Sequence, residues 1–174
     1  MKNLLISFSF LILMLGCTDS KRSLSEKESF VINNCINYIK NFSKENCYIV
    51  DPYFNYFSFS NYSTETNKIL FEKMNSTEVN LKEIEKNINN DFFQKYNTDL
   101  NNLSTCDESF YIMSFSGISN NMVIGYFSRS VKKVKSKLLT RDYEIKESEI
   151  NYFIFLLDKK GNIKEVIEDS VIFN

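Results

Sequence analysis

The chain has 174 residues, 21 basic against 22 acidic side chains, and a formal net charge of −1. That length allows one ordinary domain with a real core, and that balance excludes nucleic-acid binding by overall charge. With no His and no Trp, a Ser-His-Asp triad, a Cys-His pair and a His-ligated zinc or iron are excluded, and any ring stacking on sugars or amines falls to the 10 Tyr and 16 Phe.

The first stretch reads as an address. Lys2 carries one positive charge, and Leu4 to Leu15 is an apolar run interrupted only by Ser7 and Ser9. Such a run is short of the roughly 20 apolar residues a bilayer needs and matches the apolar region of a secretory signal. The small Gly16 then precedes Cys17. This order of charge, apolar run, small residue and Cys resembles the lipobox of bacterial lipoproteins. The resemblance covers residues 1–17. It implies cleavage between Gly16 and Cys17, a diacylglycerol on the Cys17 thiol, and acyl chains such as palmitate. At about 0.8 kcal/mol per buried CH2, several chains hold a domain to a membrane without a spanning helix. The implied location is the cell envelope, lipid-anchored and facing the periplasm or the exterior, with the membrane as a partner through the lipid. The chain then divides into a signal peptide (1–16), a lipidated Cys with tether (17–25) and a single globular domain (26–174).

Thr18 to Leu24 is polar and aperiodic, as a tether would be. Asp19, followed by Lys21 and Arg22, does not resemble the acidic run that sends some lipoproteins to the cell surface, which favours a location inside the envelope. Ser25 and Glu28 have the spacing of a capping box. Behind them Phe30, Val31, Cys35, Tyr38, Ile39 and Phe42 recur at helical spacing, predicting a helix over about 26–43 with that stripe toward the core.

Beyond Cys17 three thiols remain: Cys35, Cys47 and Cys106. An exported chain meets oxidising conditions, and a Cys35–Cys47 disulfide is expected, tying the helix to the segment after it. Its short loop limits the gain to about 3 kcal/mol. The alternative is three buried free thiols. With no CxxC and no His to lower a thiol pKa, a thiol enzyme is not expected.

Cys47 to Val50 forms a short strand candidate, ended by Asp51-Pro52. An aromatic block follows: Tyr53, Phe54, Tyr56, Phe57, Phe59 and Tyr62. Tyr53, Tyr56, Phe57 and Tyr62 are candidates for a surface that binds a glycan, an apolar ligand or a protein. The competing expectation is a strand and loop packed under helices, since aromatics occupy both alternating faces. Residues 64–75 fit a helix turn or a strand equally. Leu81, Ile84, Ile88, Phe92 and Tyr96 predict a second helix over about 80–96. Glu83 and Glu85 fall outside its stripe, cannot pair on it, and read as solvated surface.

From Phe110 the period changes. Phe110–Phe115 and Met122–Phe127 read as strands around a turn at 117–121. Ile150–Leu157 and Ile163–Phe173 read as a hairpin closed by Asp158–Asn162, with Gly161 supplying positive φ. Between them a basic stretch, including Lys132, Lys133, Lys135 and Lys137, is followed by an acidic one holding Asp142, Glu144, Glu147 and Glu149. Those lysines are candidates for contact with an anionic lipid surface or an acidic partner. The plainer expectation is one long twisted hairpin with Lys opposite Glu.

The resulting expectation is an α+β fold, with N-terminal helices packed on one face of a C-terminal antiparallel β-meander. No catalytic residue, metal site or cofactor is expected. The function expected is that of a non-enzymatic, membrane-anchored binding domain with an unidentified protein partner and no nucleic acid. Two alternatives stand beside it. One is a lipid-anchored immunity or inhibitor protein. The other is a hydrolase using carboxylates alone, which requires two of them roughly 5–10 Å apart in a cleft.

Overall fold

The computed structural model describes residues 23–74, 78–91, 100–119, 121–139 and 146–172. The lipobox-like segment 13–17 therefore lies outside the described residues, as do Phe92, Tyr96, Arg141, Asp142 and Glu144.

Helix α1 runs Glu26–Ser43. Its start is the expected capping box: Ser25 N–H donates to Glu28 Oε2 at 2.8 Å, and Glu28 N–H donates to Ser25 Oγ at 3.2 Å. Lys44, at φ 57°, ends it. The buried face is turned from the expected stripe. Val31, Ile32, Cys35, Ile36 and Ile39 are buried, while Phe30 and Phe42 stay 46% and 45% exposed. Apolar side chains ring more than half of this helix, so periodicity alone leaves the rotation open; the sheet selects the β-branched side.

Strand β1 (Ile49–Phe54) leads through an aromatic segment to helices α2 (Thr64–Met74) and α3 (Glu78–Ile88). Strands β2 (Glu108–Phe115), β3 (Met122–Lys135), β4 (Glu147–Leu157) and β5 (Ile163–Ile172) follow. The sheet order is β1-β2-β3-β4-β5. From β2 onward it is the expected antiparallel meander, whereas β1 adds to it in parallel, with Ile49 beside Ile112 and Val50 beside Met113.

The α+β class holds, but the helices cover both faces rather than one. Val123, Phe127, Phe153, Phe155 and Leu157 pack with α1. The alternate residues Met122, Ile124, Ile150, Tyr152 and Ile154 pack with Leu70, Leu81, Ile84 and Ile88 of α2 and α3. Strands β3 and β4 are apolar on both sides, and a sheet of that pattern must be covered twice. A small third cluster, Ile49, Ile112, Val134 and Leu139, completes the core.

The hairpin turn forms as expected. Asp158 Oδ1 accepts from Lys160 N–H and Asn162 N–H at 2.8 and 2.9 Å, and Gly161 has φ +90°. The disulfide is a correction. Cys47 joins Cys106, and Cys35 is a buried free thiol. Cys35 lies on the sheet-facing side of α1 among apolar side chains, while Cys47 and Cys106 stand just before the paired strands β1 and β2.

Candidate functional site

The aromatic segment lies against α2 and α3 and is held there by side chains that bond its backbone. Asn89, just past α3, accepts from Phe57 N–H at 2.9 Å and donates to Phe57 C=O at 2.7 Å. It thereby substitutes for a strand neighbour. Glu85 Oε2 accepts from Phe59 N–H at 2.9 Å, and its Oε1 accepts from Tyr56 O–H at 3.2 Å. Asn67 of α2 donates from Nδ2 to Phe59 C=O at 3.0 Å. Ser63 caps α2, taking Thr66 N–H on Oγ at 3.1 Å, and Ser63 N–H donates to Asp169 Oδ2 of β5 at 3.0 Å.

These contacts frame a groove of about 410 Å3, within the size range of small-ligand sites. Phe59, Phe71 and Leu81 supply its apolar wall. Ser58, Ser60, Asn67, Lys82 and Glu85 supply its polar side. One atom stands out: Asn67 Oδ1 is buried and has no hydrogen-bond partner among the described residues. Its Nδ2 is fixed on Phe59 C=O, so the amide cannot turn over to hide the free acceptor. The Tyr56 O–H on Glu85 is held as a phenol, its pKa raised first by the Glu85 charge and then by that hydrogen bond.

The same sheet face carries a polar seam. Buried Asp51 accepts from Tyr53 N–H and from Asn55 Nδ2, both at 2.9 Å. Burial raises its pKa against the opposing pull of Asn55, Tyr53 and Ser114. Between β3 and β4 the register breaks, so that Arg129 faces Glu149 but Ser130 faces Glu147. This bulge turns Glu147 onto the face of Ser128 and Tyr126. Burial raises the Glu147 pKa, Ser128 works against the rise, and the Asp51 charge adds to it. Tyr126, raised chiefly by burial and then by Glu147, donates to Tyr56 C=O at 3.3 Å. Asp51, within β1, already accepts from Tyr53, Asn55 and Ser114, which is a structural use of a carboxylate.

The expected surface residues divide. Phe57 and Tyr62 are buried, Tyr53 is half-buried, and Tyr56 is 49% exposed. Most of the block is thus core, and its outer edge forms one side of the groove. Lys132, Lys133, Lys135 and Lys137 are all exposed, at the far end of β3 and in the turn after it. Lys135 faces Glu108 across β2–β3, and Lys133 lies 5.9 Å above the Phe110 ring. Opposite charges stand in register at Arg129–Glu149 and at Lys135–Glu108, and the Lys135 neighbour belongs to β2. The lysines and the aromatic segment do not form one surface, since Tyr126 meets the segment nearer the start of β3.

Glu85 corrects the expectation of a solvated helix face: it is half-buried and binds the segment that its own helix covers. Its position next to Ile84, at the margin of the apolar stripe, was the available signal. Nothing local marked Asn67 or Asn89. Among the described residues no group of three or more His, Cys, Asp or Glu side chains is placed to hold a metal ion, and no helix is long and apolar enough to cross a membrane.

Fold and site together define an α+β domain with a ligand-sized groove between its aromatic segment and two helices. No known protein family, curated protein or solved structure matches the chain.

Proposed function

We propose that this chain is a lipid-anchored, non-enzymatic binding domain of the cell envelope, and that the groove between the aromatic segment and α2–α3 is its ligand site. The observation that carries the binding role is the buried, unpartnered Asn67 Oδ1 beside the apolar wall. A buried acceptor left without a donor is costly, and a bound ligand would supply that donor. The anchor rests on Cys17 and the stretch before it. Cys17→Ser moves the protein from the detergent phase to the aqueous phase in this reading; unchanged partitioning defeats the anchor. Phe71→Arg places a long charged side chain in the groove and is expected to abolish ligand binding, with circular dichroism reporting that the variant is folded.

A second reading, an inhibitor-type domain that meets an acidic protein, is favoured by the exposed lysines at the end of β3. Crosslinking from the native envelope with wild type and with the Lys132→Glu, Lys133→Glu, Lys137→Glu variant tests it. A partner captured equally by both removes this reading.

A further inference from the structure

The lining of the groove restricts what it can hold. Among the described residues Asn67 Oδ1 is the lining's buried acceptor without a partner, and it asks for an N–H or O–H donor. Glu85 presents a second acceptor: each of its oxygens takes one protein donor and retains further lone-pair capacity. An anionic ligand would meet this carboxylate, and a multiply cationic one would meet Lys82 on the same rim. A purely aliphatic ligand would cover Asn67 Oδ1 and leave it unpaired in a dry site. Phe59, Phe71 and Leu81 line the same groove as these acceptors. The complement is an uncharged molecule that carries both several donors and a C–H face.

Resting on the proposed ligand groove, we infer that its ligand is a neutral saccharide unit, with hydroxyl or acetamido donors on Asn67 and Glu85 and its C–H face on Phe59 and Phe71. Donors carried on a rigid ring satisfy both acceptors at little entropic cost, and the ring face packs on aromatic side chains without charge.

Saturation-transfer NMR on the purified full-length protein tests the assignment. The probes are a panel of neutral hexoses, N-acetylhexosamines and their disaccharides, with hexan-1-ol and hexane-1,6-diamine as controls. Saccharide signals are expected to saturate. Phe71→Ala and Asn67→Leu are each expected to weaken that binding by at least about tenfold, with circular dichroism reporting that the variant is folded. Phe71→Ala alone suffices if Asn67→Leu does not fold. Hexanol or diamine binding that depends on Phe71, with the saccharides silent, overturns the saccharide assignment and leaves the groove reading standing. No Phe71-dependent binding by any probe overturns both. Saccharide binding unchanged in the variants places the sugar elsewhere and overturns the assignment.

Discussion

Cys47 and Cys106 are bonded across the entrance to β1 and β2, 59 residues apart in sequence and 5.4 Å apart at Cα. The bridge therefore fastens the parallel pair at one end. Beside it Thr105 donates its N–H to Tyr48 C=O at 3.0 Å and takes Tyr48 N–H on Oγ1 at 3.0 Å. Ser104 Oγ takes Val50 N–H at 2.8 Å. The outer edge of β1 is thus occupied by polar groups from the segment that precedes β2, which blunts an otherwise open strand.

Loss of this bridge frees a long loop in the unfolded chain. Cys106→Ser is expected to lower stability by about 4 kcal/mol on the loop-entropy account, read by urea denaturation under oxidising conditions. Non-reducing peptide mapping is expected to recover Cys47 linked to Cys106, with Cys35 alkylated only after unfolding. A bridge containing Cys35 would contradict the arrangement.

Gly161 sits where the β4–β5 turn passes beneath α1. A Cβ there would stand 2.9 Å from Val31 Cγ2, on a backbone at φ +90°. Gly161→Ala combines a clash with left-handed strain, and a loss of about 1–3 kcal/mol is expected. Thermal denaturation checks this; an unchanged Tm would mean that the turn is not pressed against α1.

Glu85→Ala leaves Phe59 N–H without its acceptor and Tyr56 O–H without its carboxylate. The expected cost is about 1–3 kcal/mol. Hydrogen exchange is expected to quicken at Phe59 rather than across the sheet. Uniform loss of protection would place Glu85 in the global core instead.

The Glu147 pKa is raised in the folded state, first by burial and then by Asp51, from its ordinary 4.5. A carboxyl raised on folding contributes most below its unfolded pKa, and that contribution is lost as pH rises through the folded value. Tyr126 and Tyr152 feel the Glu147 charge but stay neutral over this range. Glu147→Gln removes the ionisation, so the variant is expected to gain on wild type between acidic and neutral pH, with no gain at the acid end. Urea melts at both ends measure the difference; a variant that loses ground as pH rises would reverse the sign and the argument.

Local signals stand plainly in the sequence. Ser25 and Glu28 mark the start of α1 because a capping box is satisfied within one turn. Leu81, Ile84 and Ile88 find the buried side of α3, because a single narrow stripe leaves one choice. Gly161 marks the turn because only certain residues accept its φ. What failed depended on distant partners. The rotation of α1 is set by β3 and β4, the parallel pairing of β1 by β2, and the cysteine partner by that pairing. The groove suffers the same limit. Phe59, Asn67 and Glu85 meet through side chain-to-backbone bonds between three segments, and no spacing in the chain announces them.

The parallel seat of β1 also bears on the order in which the molecule assembles. Strands β2 to β5 are sequential antiparallel neighbours, so they close with modest loop entropy. Strand β1 must bring back a segment that carries α2 and α3, a slower, non-local step. We predict that pulse-labelled amides of β3 and β4 become protected before those of β1. Simultaneous protection would refute that order. In the predicted order the fold is completed by its parallel strand, and the Cys47–Cys106 bond is the latch that keeps the last arrival from leaving first.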